Sequence, residues 1–338
     1  MKTDLRFSLV LACFVLSGLA GLIYQTAWTR QFAIVFGTTE LALVTVLAAY
    51  MGGLALGAAA SGRWASRVQR PVLVYGVLEL GIGVTAVLVP SAIRLASRLH
   101  IALLGGGELP PESGSIVSAL FYVVSSFTIL LIPTGLMGAT LPLLARWAVR
   151  SDEQIGSRIG LLYTANTAGA AAGALIAVFA LLPRLGLNHI VLTAAGINVA
   201  VFALAALLAR ATGHERIEHA SVAGAAERLS GRGWILPLIL VSGAVSFSWE
   251  ILWTRLLSQL VGGSVYAFAT MLATFLIGLA LGSAVAARFA STVARARSGF
   301  AAAQIGIGVL SLGAFAVIDR MPRLVTKLVQ GGDHRLAR

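Results

Sequence analysis

Residues 17–67 recur 225 positions downstream as residues 242–292, with 19 of 51 positions identical and no gap. The anchors are Ser17-Gly18, Trp28-Thr29-Arg30, Gly37, GLALG at 53–57 and Arg63. They fall on Ser242-Gly243, Trp253-Thr254-Arg255, Gly262, GLALG at 278–282 and Arg288. The register continues, with Arg70 on Arg295 and the Glu79, Gly81, Gly83 triplet on Gln304, Gly306 and Gly308. A self-match at one fixed offset marks a duplicated unit, so the fold must build one substructure twice.

Composition fixes the solvent. With 58% hydrophobic residues, 11% charged residues and a mean hydropathy of +0.90, the chain cannot cover itself with polar surface in water, and it reads as an integral membrane protein. Its 37 glycines suit helices that approach closely in lipid. The single cysteine, Cys13, lies inside the first apolar run, which excludes a disulfide framework and a cysteine metal cluster. The net charge of +12 is spread over many loops instead of forming one stripe with interleaved aromatics, so no nucleic-acid partner is expected.

Spans of roughly 20 apolar residues cross the hydrocarbon. Nine are read, at about 7–36, 41–61, 72–93, 116–144, 159–182, 190–208, 234–261, 266–286 and 300–318. The start, with Lys2 and Arg6 before an apolar stretch, resembles a signal peptide, but the run is too long and recurs internally as the seventh span, so it reads as a retained helix. Arginines concentrate after the even spans: Arg63, Arg67 and Arg70; Arg146, Arg150 and Arg158; Arg210, Arg216, Arg228 and Arg232; Arg288, Arg295 and Arg297. The loops after spans three and five carry only Arg94, Arg98 and Arg184. This bias predicts a cytoplasmic N-terminus, in what reads as a bacterial inner membrane.

Six spans separate the two copies, so both enter the membrane in the same direction, as a parallel repeat about an axis along the membrane normal. The organisation expected is a six-span repeat over 1–210, a cytoplasmic linker over 211–232, a second repeat of three spans over 233–320 and a basic tail over 321–338. That tail region, with Arg320, Arg323, Lys327, Arg335 and Arg338, falls on the outer side by this count, which suggests a fragment or a miscounted span.

An ionisable residue within the hydrocarbon is a functional candidate because it costs at least ~2.5 kcal/mol on insertion scales. Glu79 in span three and Glu250 in span seven stand out, with Gln304 and Gln25 as their repeat counterparts. If the halves pack about a pseudo-twofold axis, each contributes one Glu and one Gln to a common interior that suits a cation or a proton; the alternative is a structural hydrogen bond between helices. Arg30 and Arg255 follow Gln25 and Glu250 by five residues, about 140° round a helix, so they do not pair with them on one face. They either snorkel to an interface beside Trp28 and Trp253 or meet a carboxylate across the halves. Glu40 reads as interfacial. Asn166 precedes Gly169 and Gly173, a Gly-x-x-x-Gly pair that implies close helix contact. Pro133 and Pro142 should interrupt span four, either as kinks or as a broken helix lining a cavity.

Several motifs together resemble a known family. SGLAGLIYQ at 17–25 with Trp28-Thr29-Arg30, GLALG at 53–57, PTGLMGATLPLLAR at 133–146 and LLYxANTxG at 161–169 are similar to the membrane part of fused major facilitator/spermidine synthase proteins, over about residues 10–320. The resemblance implies an all-α polytopic bundle with repeats like those of the major facilitator superfamily. It also implies a polyamine-like cation as ligand and a soluble aminopropyltransferase-like domain as partner; a second copy of the chain is a partner only in the stand-alone transporter reading, as one way to supply its missing spans. The sequence departs from the family at Gln25, where a carboxylate is usual and which the second copy keeps as Glu250. Ser66 stands where the facilitator gating loop has an aspartate. No strand-turn-helix glycine motif is present; Gly105-Gly106-Gly107 reads as an outer turn. Accordingly no catalytic residue, cofactor or metal is expected, and no aminopropyl transfer. Three functions stay open: a membrane module that anchors or conducts, a stand-alone transporter needing three more spans, and a non-catalytic scaffold.

Overall fold

The computed structural model describes residues 2–36, 40–104, 116–149, 155–212, 233–261, 265–289 and 292–317. Every regular element among them is helical: α1 (Lys2–Phe36), α2 (Glu40–Trp64), α3 (Pro71–Leu104), α4 (Ile116–Ala148), α5 (Ile155–Ile176), α6 (Leu182–Thr212), α7 (Ile235–Val261), α8 (Val265–Phe289) and α9 (Val293–Val317). A helix is the form in which an apolar segment satisfies its backbone internally where no water is available. The expected linker beyond residue 212, the Gly105 to Gly107 turn and the basic tail lie outside the described residues.

Among the described residues, eight helical stretches are long and apolar enough to cross a membrane, which gives the chain the character of an all-α integral membrane protein. The fifth, Gly156–Ala211, runs for 56 residues. As a straight helix it would reach ~84 Å, far beyond a ~30 Å hydrocarbon core. It turns at Gly186, whose φ of 71° costs little only for glycine. The helices on either side, α5 and α6, both pack against α1. The fifth and sixth spans of the sequence reading are therefore two helices within one stretch, joined through a π-helical turn, Ala177–Leu181, and a glycine bend.

In the first six helices, α2 packs on α4, α1 on α5, α3 on α4, α1 on α6 and α3 on α6. Exchanging helices one to three with four to six maps this set onto itself. The two tightest seams are made by glycine. A Cβ at Gly53 or Gly57 of α2 would overlap Thr134 or the Gly135 backbone of α4, and one at Gly138 would strike the Leu54 backbone. On the other seam, Gly169 and Gly173 of α5 abut the backbones of Val15 and Leu19 in α1. Between helices in lipid, contact of this kind replaces the hydrophobic drive that water would supply.

Pro133 and Pro142 do not interrupt α4, which runs continuously through both, as α3 does through Pro90. Each proline deprives one carbonyl of the preceding turn, Ile129 O and Gly138 O, of its helical donor; the nearby hydroxyls bond to other carbonyls, Thr134 Oγ1 donating to Leu130 O at 2.6 Å and Thr140 Oγ1 to Met137 O at 2.7 Å. After α2, a short 3₁₀ turn, Ala65–Arg67, is held by Arg146 at the end of α4, whose Nη2 donates to Ser66 O at 3.3 Å.

The second copy docks on the first mainly through α8 against α5. Leu47 and Ala174 meet Phe268, Met271 and Leu272 in one buried cluster, and Thr164 Oγ1 and Ser283 Oγ share a hydrogen bond of 2.8 Å. At Gly278 and Gly282 of α8, the counterparts of Gly53 and Gly57, an added methyl group would meet nothing within 4 Å among the described residues. The same small-residue face is thus filled in one copy and open in the other. Gly57→Leu is expected to destabilise the protein by about 1–3 kcal/mol through overpacking, and Gly282→Leu to stay within ~0.5 kcal/mol; thermal unfolding of the two variants in the same detergent compares them.

Candidate functional site

A cavity of about 390 Å³ lies between the first bundle and the second copy, walled by α1, α2, α4 and α5 on one side and α7 and α8 on the other. Ligand pockets fall in the same size range. Its lining includes seven pairs of residues related by the 225-residue offset, among them Leu22 with Phe247, Gln25 with Glu250 and Tyr50 with Phe275. On α1 the paired positions are 18, 21, 22 and 25, and on α7 they are 243, 246, 247 and 250. Each set is spaced i, i+3, i+4, i+7, one face of a helix. The two copies therefore turn the same face toward one shared space.

Two polar groups in this wall are buried without a partner among the described residues. Glu250 is 3% exposed and its Oε1 accepts no hydrogen bond; Gln25 is 2% exposed and its Nε2 donates none. An unmatched buried carboxylate costs free energy that a cationic partner would recover. Thr140, Tyr163 and Asn166 add polar groups from α4 and α5. Asn166 is partly committed, since its Nδ2 donates to Phe14 O at 3.1 Å across the α1–α5 seam.

Glu79 does not line this cavity, which corrects the expectation that both glutamates face one interior. It is fully buried between α1, α3 and α6, where Ser17 Oγ donates to Oε1 and Asn198 Nδ2 donates to Oε2, each at 2.6 Å. Tyr24 OH in turn donates to Asn198 Oδ1 at 2.8 Å. The helix register explains the difference: Glu79 sits on the α3 face that packs inside the bundle, whereas Glu250 sits on the α7 face that looks out of its repeat. Gln304 occupies the equivalent place in the second copy, and its Nε2 donates to Ser242 Oγ at 2.8 Å. Ser17 with Glu79 and Ser242 with Gln304 are the same pair of positions, so one hydrogen bond has been kept in both copies with its direction reversed.

Arg30 and Arg255 are exposed side chains, and the structure does not place either in the cavity. Trp28, expected beside Arg30 at an interface, is instead fully buried, stacked on Tyr24 at 5.2 Å and tilted against Tyr50 at 6.4 Å. Sequence reading missed Asn198, Ser17 and Tyr50. A lone asparagine in the apolar span at 190–208 was a visible signal for the first; the repeated i, i+3, i+4, i+7 face was a signal for the cavity wall.

No protein-family model, curated protein or solved structure matches the chain. The site is therefore read from its own chemistry.

Asn198→Leu removes a hydrogen-bond donor from the buried Glu79 carboxylate and leaves Tyr24 without its acceptor. The expected cost is about 1–3 kcal/mol. Gln304→Leu, in a half-buried position, is expected to cost less, and paired thermal melts decide the order.

Proposed function

We propose that the chain is the membrane module of a transporter-type protein similar to the fused major facilitator/spermidine synthase proteins, and that the cavity between its repeats binds a small organic cation. The observation that carries this reading is the pairing of Gln25 and Glu250. Equivalent positions of a duplicated unit meet at one cavity, and one of them brings a carboxylate with an unmatched oxygen. A carboxylate in a poorly solvated site gains more from a positive partner than it would in water. The walls are largely aliphatic and aromatic, with Leu22, Tyr50, Phe247 and Phe275, which suits a ligand with an apolar body behind its charged group.

With Glu79 committed elsewhere, one carboxylate faces the cavity, so a singly charged cation is matched better than an extended polyamine. The arginine bias of the loops favours a cytoplasmic N-terminus, and a bacterial inner membrane is part of the same reading. A parallel repeat of the two copies draws support from the 225-residue offset and from the Ser-to-Glu/Gln bond that both copies keep; the exchange of helices one to three with four to six relates odd-numbered units, which suits an inverted pair nested within the first copy. A second reading, a stand-alone transporter completed by three more helices, draws on the uncovered Gly278 and Gly282 face of α8. A scaffold with no ligand is the remaining alternative.

Binding of tetraethylammonium and of spermidine to the purified protein in lipid nanodiscs tests this. Glu250→Gln should weaken binding of tetraethylammonium about tenfold or more, equivalent to ~1.4 kcal/mol. Gln25→Glu, which adds a second carboxylate at the matching position, should move the preference toward spermidine. Unchanged binding in a folded Glu250→Gln variant would remove the cation reading and favour the scaffold.

A further inference from the structure

The fully buried Glu79 carboxylate has no cation beside it among the described residues. None of the ionisable groups close to it is basic: Cys13 and Tyr24 come from α1 and Tyr75 from α3 itself. From α6 it meets Asn198, which does not titrate, and the ionisable residues of α4, Tyr122 and Arg146, lie elsewhere along that helix and do not act on it. A carboxyl so placed within a membrane span is either protonated or held by donors alone. Here both of its oxygens receive donors, Ser17 on one and Asn198 on the other.

The same pocket also accommodates the neutral acid. A serine hydroxyl both donates and accepts, and its hydrogen rotates to suit, so Ser17 accepts from a protonated Glu79 as readily as it donates to the ionised one. Asn198, fixed by Tyr24, serves the other oxygen in either state. Ser17 has a second property. It is half-buried and lines the cavity, and among the described residues it is the side chain that both borders the cavity and hydrogen-bonds Glu79.

We propose that Glu79 is a proton-binding site that exchanges with the inter-repeat cavity through Ser17. The step balances as a relay: the Ser17 hydroxyl passes its proton to Glu79 Oε1 while its oxygen takes one from a hydronium ion or a protonated amine in the cavity, leaving water or the free amine. The reverse passage releases the proton. The second copy lacks this capacity, because Gln304 cannot ionise and its bond to Ser242 runs the other way. One repeat thus holds the proton site, and the other supplies the carboxylate that faces the ligand. The proposal relies on the cation-cavity reading for the route alone; the proton site stands independently of what the cavity binds.

Infrared spectroscopy of the whole protein in nanodiscs tests it through the C=O stretch of a protonated buried carboxyl. The expected result is a titrating band that is lost in Glu79→Gln and survives in Glu250→Gln, whatever the latter does to cation binding; any contribution of Glu250 is removed by the second variant and so is told apart. Gln304 shows that a glutamine is compatible with this position of the repeat. In Ser17→Ala the band should remain, and its disappearance after an upward pH jump should slow at least ~10-fold as the relay hydroxyl is lost. Should Glu79→Gln fail to insert, Glu79→Asp decides: the band persists with a displaced midpoint if it belongs to residue 79, and an unchanged midpoint overturns the assignment. A spectrum in which Glu79→Gln removes no protonated-carboxyl band overturns the proton site, and an unslowed Ser17→Ala overturns the route.

Discussion

Helices in a bilayer do not gain by hiding leucine from their surroundings, because lipid tails are as apolar as leucine. What holds this bundle together is therefore the distance at which backbones can meet. Gly53, Gly57 and Gly138 let α2 and α4 touch main chain to main chain, and Gly169 and Gly173 do the same for α5 on α1. Everything else is hung on those two seams. They fix the rotation of α1, which turns Ser17 toward Glu79 and, eight residues on, Gln25 toward the cavity. They also set α5 in place to receive α8 and with it the second copy.

Polar groups then specify what close packing alone would leave interchangeable. The Glu79, Ser17, Asn198 and Tyr24 network ties three helices of the first bundle to one another. Leaving any member unmatched in lipid costs more than the bond itself contributes, so the network selects one register. The second copy keeps the Ser-to-third-helix bond in a weaker, neutral form. The duplicated unit has diverged in sequence: the same two positions in each copy carry Glu79 in one and Gln304 in the other, and Gln25 in one and Glu250 in the other.

Much of this was legible in the residues. The 225-residue offset displays the duplication, and the apolar runs match the helices found among the described residues, because membrane helices need length and apolarity, which a sequence displays directly. Gly169 and Gly173 were readable as a close seam for the same reason. Other features depended on rotation about helix axes, which a single chain states only weakly. Glu79 and Glu250 look alike as isolated carboxylates, yet one points into its own repeat and the other out of it. Trp28 sits near the end of a long helix, as an interfacial tryptophan would, and is buried because α2 and its Tyr50 cover it. Pro133 and Pro142 read as either kinks or a break, and α4 runs continuously through both.

The central claim is that equivalent faces of the two copies border one ligand-accessible cavity. Cysteine accessibility tests it most directly, using a Cys13→Ser background with single cysteines at the repeat mates Gly21 and Ser246 and a control at Val84, exposed on the outside of α3. The account predicts that a water-soluble thiol reagent labels Gly21→Cys and Ser246→Cys faster than Val84→Cys, and that tetraethylammonium protects both. Labelling of the two cavity positions no faster than the control, with no protection, would contradict it.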